Sequence, residues 1–283
     1  MNSIKTVGLL GLLSGILLVG GQAVAGRNGL ILGLGLALAM NFASYFFSEK
    51  IALSMYQAQP VSPSENPQVW ARIGPVTQEL CRRMGLPMPR LWLIPEHSPN
   101  AFATGRNPQH SSVAVTVGIL ELMDDRELAA VIGHELGHVK NRDILVSSVA
   151  AMIGAAISSV AQLGYFFGGR HDDEEGGSSP FAGLLMMLVA PIAAMVIQMA
   201  ISRTREYGAD AAAAKYTGSP DNMVAALKKL EGWSQRIPME ANPATAHMFI
   251  IKPFSAGGLS RLFSTHPATE DRIAALRRLR DAG

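Results

Sequence analysis

Long apolar runs alternate along this chain with stretches in which apolar positions recur periodically. Four runs hold almost no charged side chains and are each long enough to cross a bilayer. Arg27 and Asn28 separate the first two runs, so these two are predicted to form a tight transmembrane hairpin. A polar loop separates the last two, which are predicted to form a second hairpin. The runs are residues 6–25, 29–47, 144–168 and 181–201.

The first run has a second interpretation. Ala23-Val24-Ala25 at its end resembles a signal-peptidase site, and a cleaved signal peptide is the rival to a transmembrane helix. A secretory signal has a positively charged start, whereas here Lys5 is the only basic residue before the run. The transmembrane interpretation is therefore favoured.

Periodic patterns between the two hairpins predict a small folded region. Residues 57–67 are rich in proline and are predicted to be a linker. Apolar positions at helical spacing predict an amphipathic helix over 69–84. Alternating patterns predict strands at 90–94 and 112–117, and residues 100–105 are either another strand or a structured loop. The predicted fold class is mainly α with a small β-sheet (α+β), joined to four transmembrane helices.

A further helix is predicted to begin after Asp124. Asp124 is a plausible N-cap, and Glu127 three residues on completes a capping-box pattern. We expect this helix to run on into the third apolar run, with residues 140–143 at the membrane interface. The apolar stripe at helical spacing consists of Leu128, Val131, Ile132, Leu136 and Val139.

Composition agrees with a membrane protein and excludes some functions. Charged residues make up 16% of the chain, against about 25% in typical soluble domains. A net charge of +2 is too small to indicate a nucleic-acid partner. Cys81 is the only cysteine, so no intrachain disulfide is possible, and a buried inert thiol is its expected role.

The helix after Asp124 carries the pattern of a metal site. His134 and His138 are four residues apart, so both imidazoles lie on one helix face and can bind one metal ion, with zinc the usual choice. Glu135 can reach a metal-bound water and is the candidate general base. The alternative is a solvent-exposed polar helix face that binds no metal, but the apolar neighbours and the flanking Gly133 and Gly137 disfavour it.

A third ligand is expected after the fourth run, because a catalytic zinc normally has three protein ligands and a water. Glu206 and Asp210 lie four apart in an alanine-rich helix. Glu206 can be the third ligand, and Asp210 can accept a hydrogen bond from a ligating imidazole. The alternative is a surface helix with charged pairs such as Arg203 with Glu206.

These motifs, in this order, resemble the HtpX membrane zinc metalloproteases, gluzincins related to the Ste24 (CAAX-type) and Oma1 proteases. The resemblance covers nearly the whole chain and includes Asn100-Ala101-Phe102 and residues 264–267. It implies that one zinc is bound by His134, His138 and Glu206. It also implies that Glu135 is the base, that Asp210 is a supporting residue, and that His266 and Arg272 steady the oxyanion. From the residues alone, His266 is equally a neighbour of a helix start at Pro267.

The resemblance further implies a quality-control and stress-response endopeptidase of the bacterial inner membrane. Its partners would be misfolded membrane proteins and the bilayer. An extended substrate is expected to add as a strand to a sheet edge, either at Asn100, Ala101, Phe102, Ala103 and Thr104 or at residues 112–117. A CAAX-type prenyl-protein protease, a zinc-binding membrane scaffold without catalysis, and a transporter are the alternatives.

Lysine and arginine near the span ends predict a cytoplasmic protease domain built from two segments. The segments between the hairpins and after the fourth run hold more basic residues near the spans than the short outer loops do. Neither segment holds a complete site, so both are expected to fold together. The predicted division is a hairpin (1–48), a first protease segment (49–143), a second hairpin (144–201) and a second protease segment (202–283).

Overall fold

The computed structural model describes residues 2–147, 149, 203–234 and 267–281. Most of the predicted second hairpin, and His266, therefore lie outside the described residues. The described elements are α1 (Asn2–Met55), β1 (Gln59–Val61), α2 (Pro67–Met84), β2 (Arg90–Ile94), β3 (Ala101–Asn107), β4 (His110–Thr116), α3 (Val117–Leu122), α4 (Asp125–Lys140), α5 (Arg203–Thr217), α6 (Pro220–Ser234) and α7 (Thr269–Asp281).

Helix α1 folds back on itself at Gly26. Gly26 has φ +54°, in the left-handed region that favours glycine. Asn41 Nδ2 donates to Ser14 Oγ at 2.8 Å, which joins the two arms. A Cβ at Gly33 would clash with the carbonyl oxygen of Leu17, so the two arms are in close contact there. The reversal lies at the break between the first two predicted spans.

The second arm of α1 can cross a membrane by length and composition. Within the described residues, Gly26–Met55 is the one helical stretch that meets both criteria, and Thr6–Val19 is a shorter apolar helix. The arm presents large apolar side chains outward, as a bilayer-facing surface does. Of the four predicted spans, only the two of the first hairpin lie wholly within the described residues. The outward-facing side chains are Leu30, Ile31, Leu32, Leu34, Leu36, Leu38, Phe42, Phe46 and Phe47.

A mixed four-stranded sheet follows the hairpin, with strand order β1-β2-β4-β3. β2 pairs in parallel with β4, while β1 and β3 pair antiparallel with β2 and β4. The strands predicted at 90–94 and 112–117 are β2 and β4. Residues 100–105, left open between strand and loop, belong to β3. The predicted linker over 57–67 contains β1, a short strand whose existence depends on pairing with β2.

The two faces of the sheet have different neighbours. Ala103 and Val113 belong to the main core, which also holds the buried faces of α2, α4 and α6. Phe102 and Ala114 point to the other face and pack with Leu53 at the end of α1. The hairpin and the helical core therefore lie on opposite faces of one sheet.

Helix α4 begins as the capping box predicts. Asp124 Oδ1 accepts from the backbone N–H of Arg126 and of Glu127, each at 2.9 Å, and Glu127 Oε2 accepts from the N–H of Asp124 at 2.9 Å. The whole predicted apolar stripe is buried. α4 lies close against α5, since a Cβ at Gly137 would lie 3.0 Å from the Cα of Ala209.

Helix α4 does not continue into the third apolar run, so that prediction is wrong. The helix ends at Lys140, and Arg142 adopts φ +57° before a new helical turn begins at Ile144. The backbone N–H of Asp143 donates to the carbonyl of His138 at 2.9 Å. This turn brings the Asp143 side chain back to His138, which an unbroken helix would not do.

Candidate metal centre

Helices α4 and α5 bring three metal-ligating side chains together. His134, His138 and Glu206 each offer one ligand atom, and these atoms all lie within 4.8 Å of one another. The two histidine Nε2 atoms are 3.2 Å apart. The carboxylate of Glu206 lies 3.7 Å from Nε2 of His134 and 3.5 Å from Nε2 of His138. Ligands of a tetrahedral zinc stand about 3.3 Å apart, so this spacing fits one such ion.

The other ring nitrogen of each histidine is held by a carboxylate. His134 Nδ1–H donates to Asp210 Oδ1 at 2.9 Å, and His138 Nδ1–H donates to Asp143 Oδ2 at 3.2 Å. A carboxylate only accepts, so both protons belong on Nδ1 and both Nε2 lone pairs face each other. Two lone pairs at that distance repel unless a cation lies between them. The donor set therefore fits a metal ion.

Arg272 lies behind the first of these pairs. Its side chain is fully buried and makes a two-pronged contact with Asp210, with Nε and Nη2 donating at 2.8 and 2.6 Å. Burial raises the pKa of Asp210, but the Arg272 guanidinium outweighs it and holds that pKa below its usual range. Arg272 also approaches Glu206, with 3.7 Å between Nη1 and Oε2. It sits where it can orient the ligands of the site.

Behind His138, Arg205 approaches Asp143 in the way that Arg272 approaches Asp210 behind His134. Arg205 Nη1 lies 3.7 Å from Asp143 Oδ1, and both side chains are largely buried. Burial would lower the pKa of His138, but Asp143 and Glu206 raise it to about 9. A proton and a metal ion therefore compete for the same Nε2.

Glu135 is buried beside the cluster and faces strand β3. Its Oε2 accepts from the backbone N–H of Ala103 at 2.8 Å. Burial raises the pKa of Glu135, partly offset by the neighbouring histidines and by this hydrogen bond. A carboxylate with a raised pKa next to a metal cluster has the character of a general base.

Strand β3 is an edge of the described sheet. Thr116 N–H donates to the carbonyl of Asn100 at 3.0 Å, and Asn100 N–H donates to Thr116 Oγ1 at 2.9 Å. In an antiparallel pair, hydrogen-bonded residues alternate with residues that are not bonded to the partner strand. The N–H and carbonyl groups of Phe102 and Thr104 therefore also point to β4, while those of Ala101 and Ala103 point to the edge. The alternative substrate strand at 112–117 lies in β4 as far as Thr116, and β4 is internal to the sheet, whereas Val117 begins α3.

Sequence reasoning overlooked two residues of the site. From the sequence, Asp143 was expected only at the membrane interface, and neither Asp143 nor Arg205 was assigned a contact with His138. The signal that could have found Asp143 is its position five residues after His138, where a helix end can return a side chain. The catalytic role expected for His266 falls outside the described residues.

Comparisons with known proteins show the family of this chain. The model of peptidase family M48 matches residues 67–280. A protease HtpX homolog of Desulforapulum autotrophicum is 49% identical over 286 residues, covering 100% of this chain and 91% of that protein. One from Ralstonia pickettii is 48% identical over 285 residues, covering 100% and 98%. The crystal structure of S. mikatae Ste24p aligns with a TM-score of 0.48 and 19% identity, covering 97% of this chain and 65% of that one.

The family match spans more than half of the chain, and the HtpX relatives match it from end to end. Within the matched region lie His134, Glu135, His138 and Glu206, which the structure gathers into one site. The apolar hairpin of α1 precedes that region. The chain therefore belongs to peptidase family M48 and is a membrane metalloprotease of the HtpX type.

Proposed function

We propose that this chain is a zinc-dependent endopeptidase that cleaves misfolded or damaged membrane proteins at the cytoplasmic face of the bacterial inner membrane. One observation carries the chemical part of the proposal. The buried Glu135 lies next to the cluster of His134, His138 and Glu206, and it accepts a hydrogen bond from the main chain of the edge strand β3. Base, metal ligands and a strand that can pair with a peptide thus meet at one place.

Each residue of the site has a distinct part in the proposed hydrolysis. His134, His138 and Glu206 would hold a zinc ion, which would supply Lewis-acid activation of water and of the scissile carbonyl. Glu135 accepts the proton of the attacking water and passes it to the leaving amine. Asp210 and Asp143 keep the Nε2 lone pairs of His134 and His138 directed at the ion by holding the protons on Nδ1.

The edge of β3 is the proposed binding site for the substrate backbone. Ala101 turns its N–H and carbonyl to that edge, and Ala103 turns its carbonyl there, since its N–H already donates to Glu135. An extended peptide can pair with these groups as an added strand. Main-chain pairing is largely independent of side-chain identity. It therefore favours unfolded segments and allows cleavage with little sequence preference, as a quality-control protease requires.

Charge distribution supports the proposed orientation. Lys50 follows the first hairpin and Lys140 precedes the third apolar run, whereas Arg27 is the basic residue of the short loop at Gly26. Under the positive-inside rule the sheet and helices α2–α7 lie in the cytoplasm. A cysteine introduced at Asn28 should then react with a membrane-impermeant maleimide from outside the cell, and one at Asp221 should not.

A zinc-binding scaffold without catalysis is the second candidate, because a metal cluster alone does not require hydrolysis. The buried carboxylate of Glu135 disfavours it. Burial of a carboxylate costs free energy, and a purely structural site gains nothing from a base in that position.

The test compares the purified chain with Glu135→Gln, which keeps the shape of the side chain and removes the base. Zinc content is measured per chain, and cleavage of casein is followed in detergent. The matched control is Glu121→Gln, at a carboxylate that is 63% exposed. The proposal predicts one zinc in all three proteins and cleavage by the parent and the control only. Cleavage by Glu135→Gln at the parent's rate would overturn the role of Glu135, and absence of zinc from the parent would overturn the metal assignment.

A further inference from the structure

A second concave site lies between the base of the hairpin and the sheet. It is a cavity of about 520 Å³ lined by the last turns of the apolar arm of α1 and by β2, β3 and β4. Trp92 Nε1 donates to Ser112 Oγ at 2.9 Å in its wall, and Ser112 Oγ donates to Glu49. These side chains lie on the face of the sheet that packs against α1, so the cavity is separate from the metal centre on the α4 face.

The cavity is rich in cations. Lys50, Arg90 and Arg106 line it, and among the described lining residues Glu49 is the one with a carboxylate. Glu49 Oε1 pairs with Arg90 Nη2 at 2.5 Å, so this pair is neutral as a whole. Within the described part of the chain, no carboxylate lies within ion-pair distance of Lys50 or Arg106. The cavity therefore keeps a net positive charge that an anion can neutralise.

An aromatic wall adjoins these cations. Phe46 lies under the guanidinium of Arg106, with 5.3 Å between Cζ and the ring centroid. Tyr45 packs edge-on against Phe46, with 4.9 Å between ring centroids. This contact holds Arg106 over an apolar surface, and its guanidinium N–H groups donate to no side chain or carbonyl among the described residues.

The position of the cavity indicates what kind of anion it takes. The outward-facing leucines and phenylalanines of the second α1 arm end at Phe47, and Lys50 follows within one helical turn. Aromatic side chains followed by charged ones mark the level of lipid headgroups. An anion bound here by its head can lay its acyl chains along the exposed surface of Phe42 and Leu38.

We propose that this cavity binds the phosphate headgroup of an anionic glycerophospholipid, one molecule per chain. Lys50 and Arg106 hold the phosphate oxygens by charge-assisted hydrogen bonds, and the acyl chains cover the apolar arm of α1. The site joins the hairpin to the sheet through the lipid. It depends on the membrane location of the chain and not on the peptidase chemistry, so the two assignments fail independently.

The test is a titration of the delipidated full chain in neutral detergent, followed by native mass spectrometry that counts bound lipids. The probes are phosphatidylglycerol and phosphatidylcholine with identical acyl chains, and glycerol 3-phosphate without chains. The variant is Lys50→Gln/Arg106→Gln. Its matched control is Arg126→Gln/Lys228→Gln, which removes the same charge from exposed positions that do not line the cavity. Equal zinc content in both variants verifies that the protease region is folded.

The proposal predicts one tightly held phosphatidylglycerol per parent chain and much weaker phosphatidylcholine. The cavity variant should lose affinity for phosphatidylglycerol by roughly thirtyfold, and the control variant should bind like the parent. Equal binding of the two lipids, or equal loss in the two variants, would overturn the site. If glycerol 3-phosphate binds as tightly as the lipid, the cavity is a site for free phosphate esters and the lipid assignment fails.

Discussion

The backbone N–H of Ala103 donates to the carboxylate of Glu135 at 2.8 Å, so the edge strand β3 and the metal-binding helix α4 are joined at the proposed base. The hydrogen bond fixes which carboxylate oxygen faces the strand. It also stabilises the charged form of a group whose pKa burial raises. The strand that is proposed to bind substrate therefore also positions the proposed base.

Replacing Ala103 by proline tests this relationship. Proline removes the N–H, which points to the edge and away from β4, so the sheet ladder is kept. A hydrogen bond to a charged group contributes about 1.5–3 kcal/mol, so we expect peptidase activity to fall by roughly tenfold to hundredfold at unchanged zinc content. Ala103→Gly keeps the N–H and should retain most activity. Equal losses in the two variants would show that the hydrogen bond is not responsible.

Asp143→Asn tests whether Asp143 orients His138. The amide can present its NH₂ group to Nδ1 and favour the wrong tautomer, in which the proton sits on the metal-facing Nε2. We expect zinc affinity to drop by about 10- to 100-fold, measured by competition with a chelator. Asp221→Asn, an exposed aspartate on α6, is the control and should bind zinc like the parent. Parent-like affinity in Asp143→Asn would exclude the orienting role.

Arg272→Met tests whether Arg272 stabilises the buried site. The substitution leaves Asp210 buried without its cation, which costs about 3–5 kcal/mol in unfolding free energy. Thermal unfolding followed with and without bound zinc measures this loss. If Arg272 instead acted only on the oxyanion, as the family resemblance implied, stability would be unchanged and the rate of cleavage alone would fall.

Gly137→Ala tests the close contact between α4 and α5. The added Cβ would lie 3.0 Å from the Cα of Ala209 and must push α5 outward. Overpacking of this kind costs about 1–3 kcal/mol, more than the gain in helix propensity of up to about 1 kcal/mol. We expect a lower melting temperature and weaker zinc binding, because α5 carries Glu206. Gly232→Ala on α6 meets nothing within 4 Å and should be neutral or slightly stabilising.

Burial of Cys81 predicts a pH dependence of stability. Burial raises the pKa of the Cys81 thiol to about 11, whereas an unfolded cysteine titrates near 8.5. Between about pH 8.5 and 11 the folded chain binds more protons than the unfolded chain, so stability falls as the pH rises through this window. The melting temperature of the parent should therefore fall more steeply than that of Cys81→Ala. A parallel fall in both proteins would contradict the assignment. In the folded parent, maleimide should label Cys81 only slowly at about pH 8.

Local sequence determined the features that depend on nearby residues. The capping box of Asp124 and Glu127 and the apolar stripe of α4 follow from side chains within a few turns of one another. The same holds for the spacing of His134 and His138, because a helix places residues four apart on one face. The strands β2 and β4 were likewise recognisable from their alternation.

Only the tertiary structure decided the contacts between distant segments. Strand β1 exists because β2 lies beside it, and the turn after the end of α4 at Lys140 brings Asp143 back to His138. Arg272 meets Asp210 across 62 residues of sequence. Ion pairs and strand pairing of this kind depend on which surfaces the core brings together. Helical or strand periodicity does not predict this, because it reflects only residues within one element. Hence His134, Glu135, His138, Glu206 and the supporting Asp210 could be named from the sequence. The contacts of Asp143 with His138 and of Arg272 with Asp210 could be identified only in the folded chain.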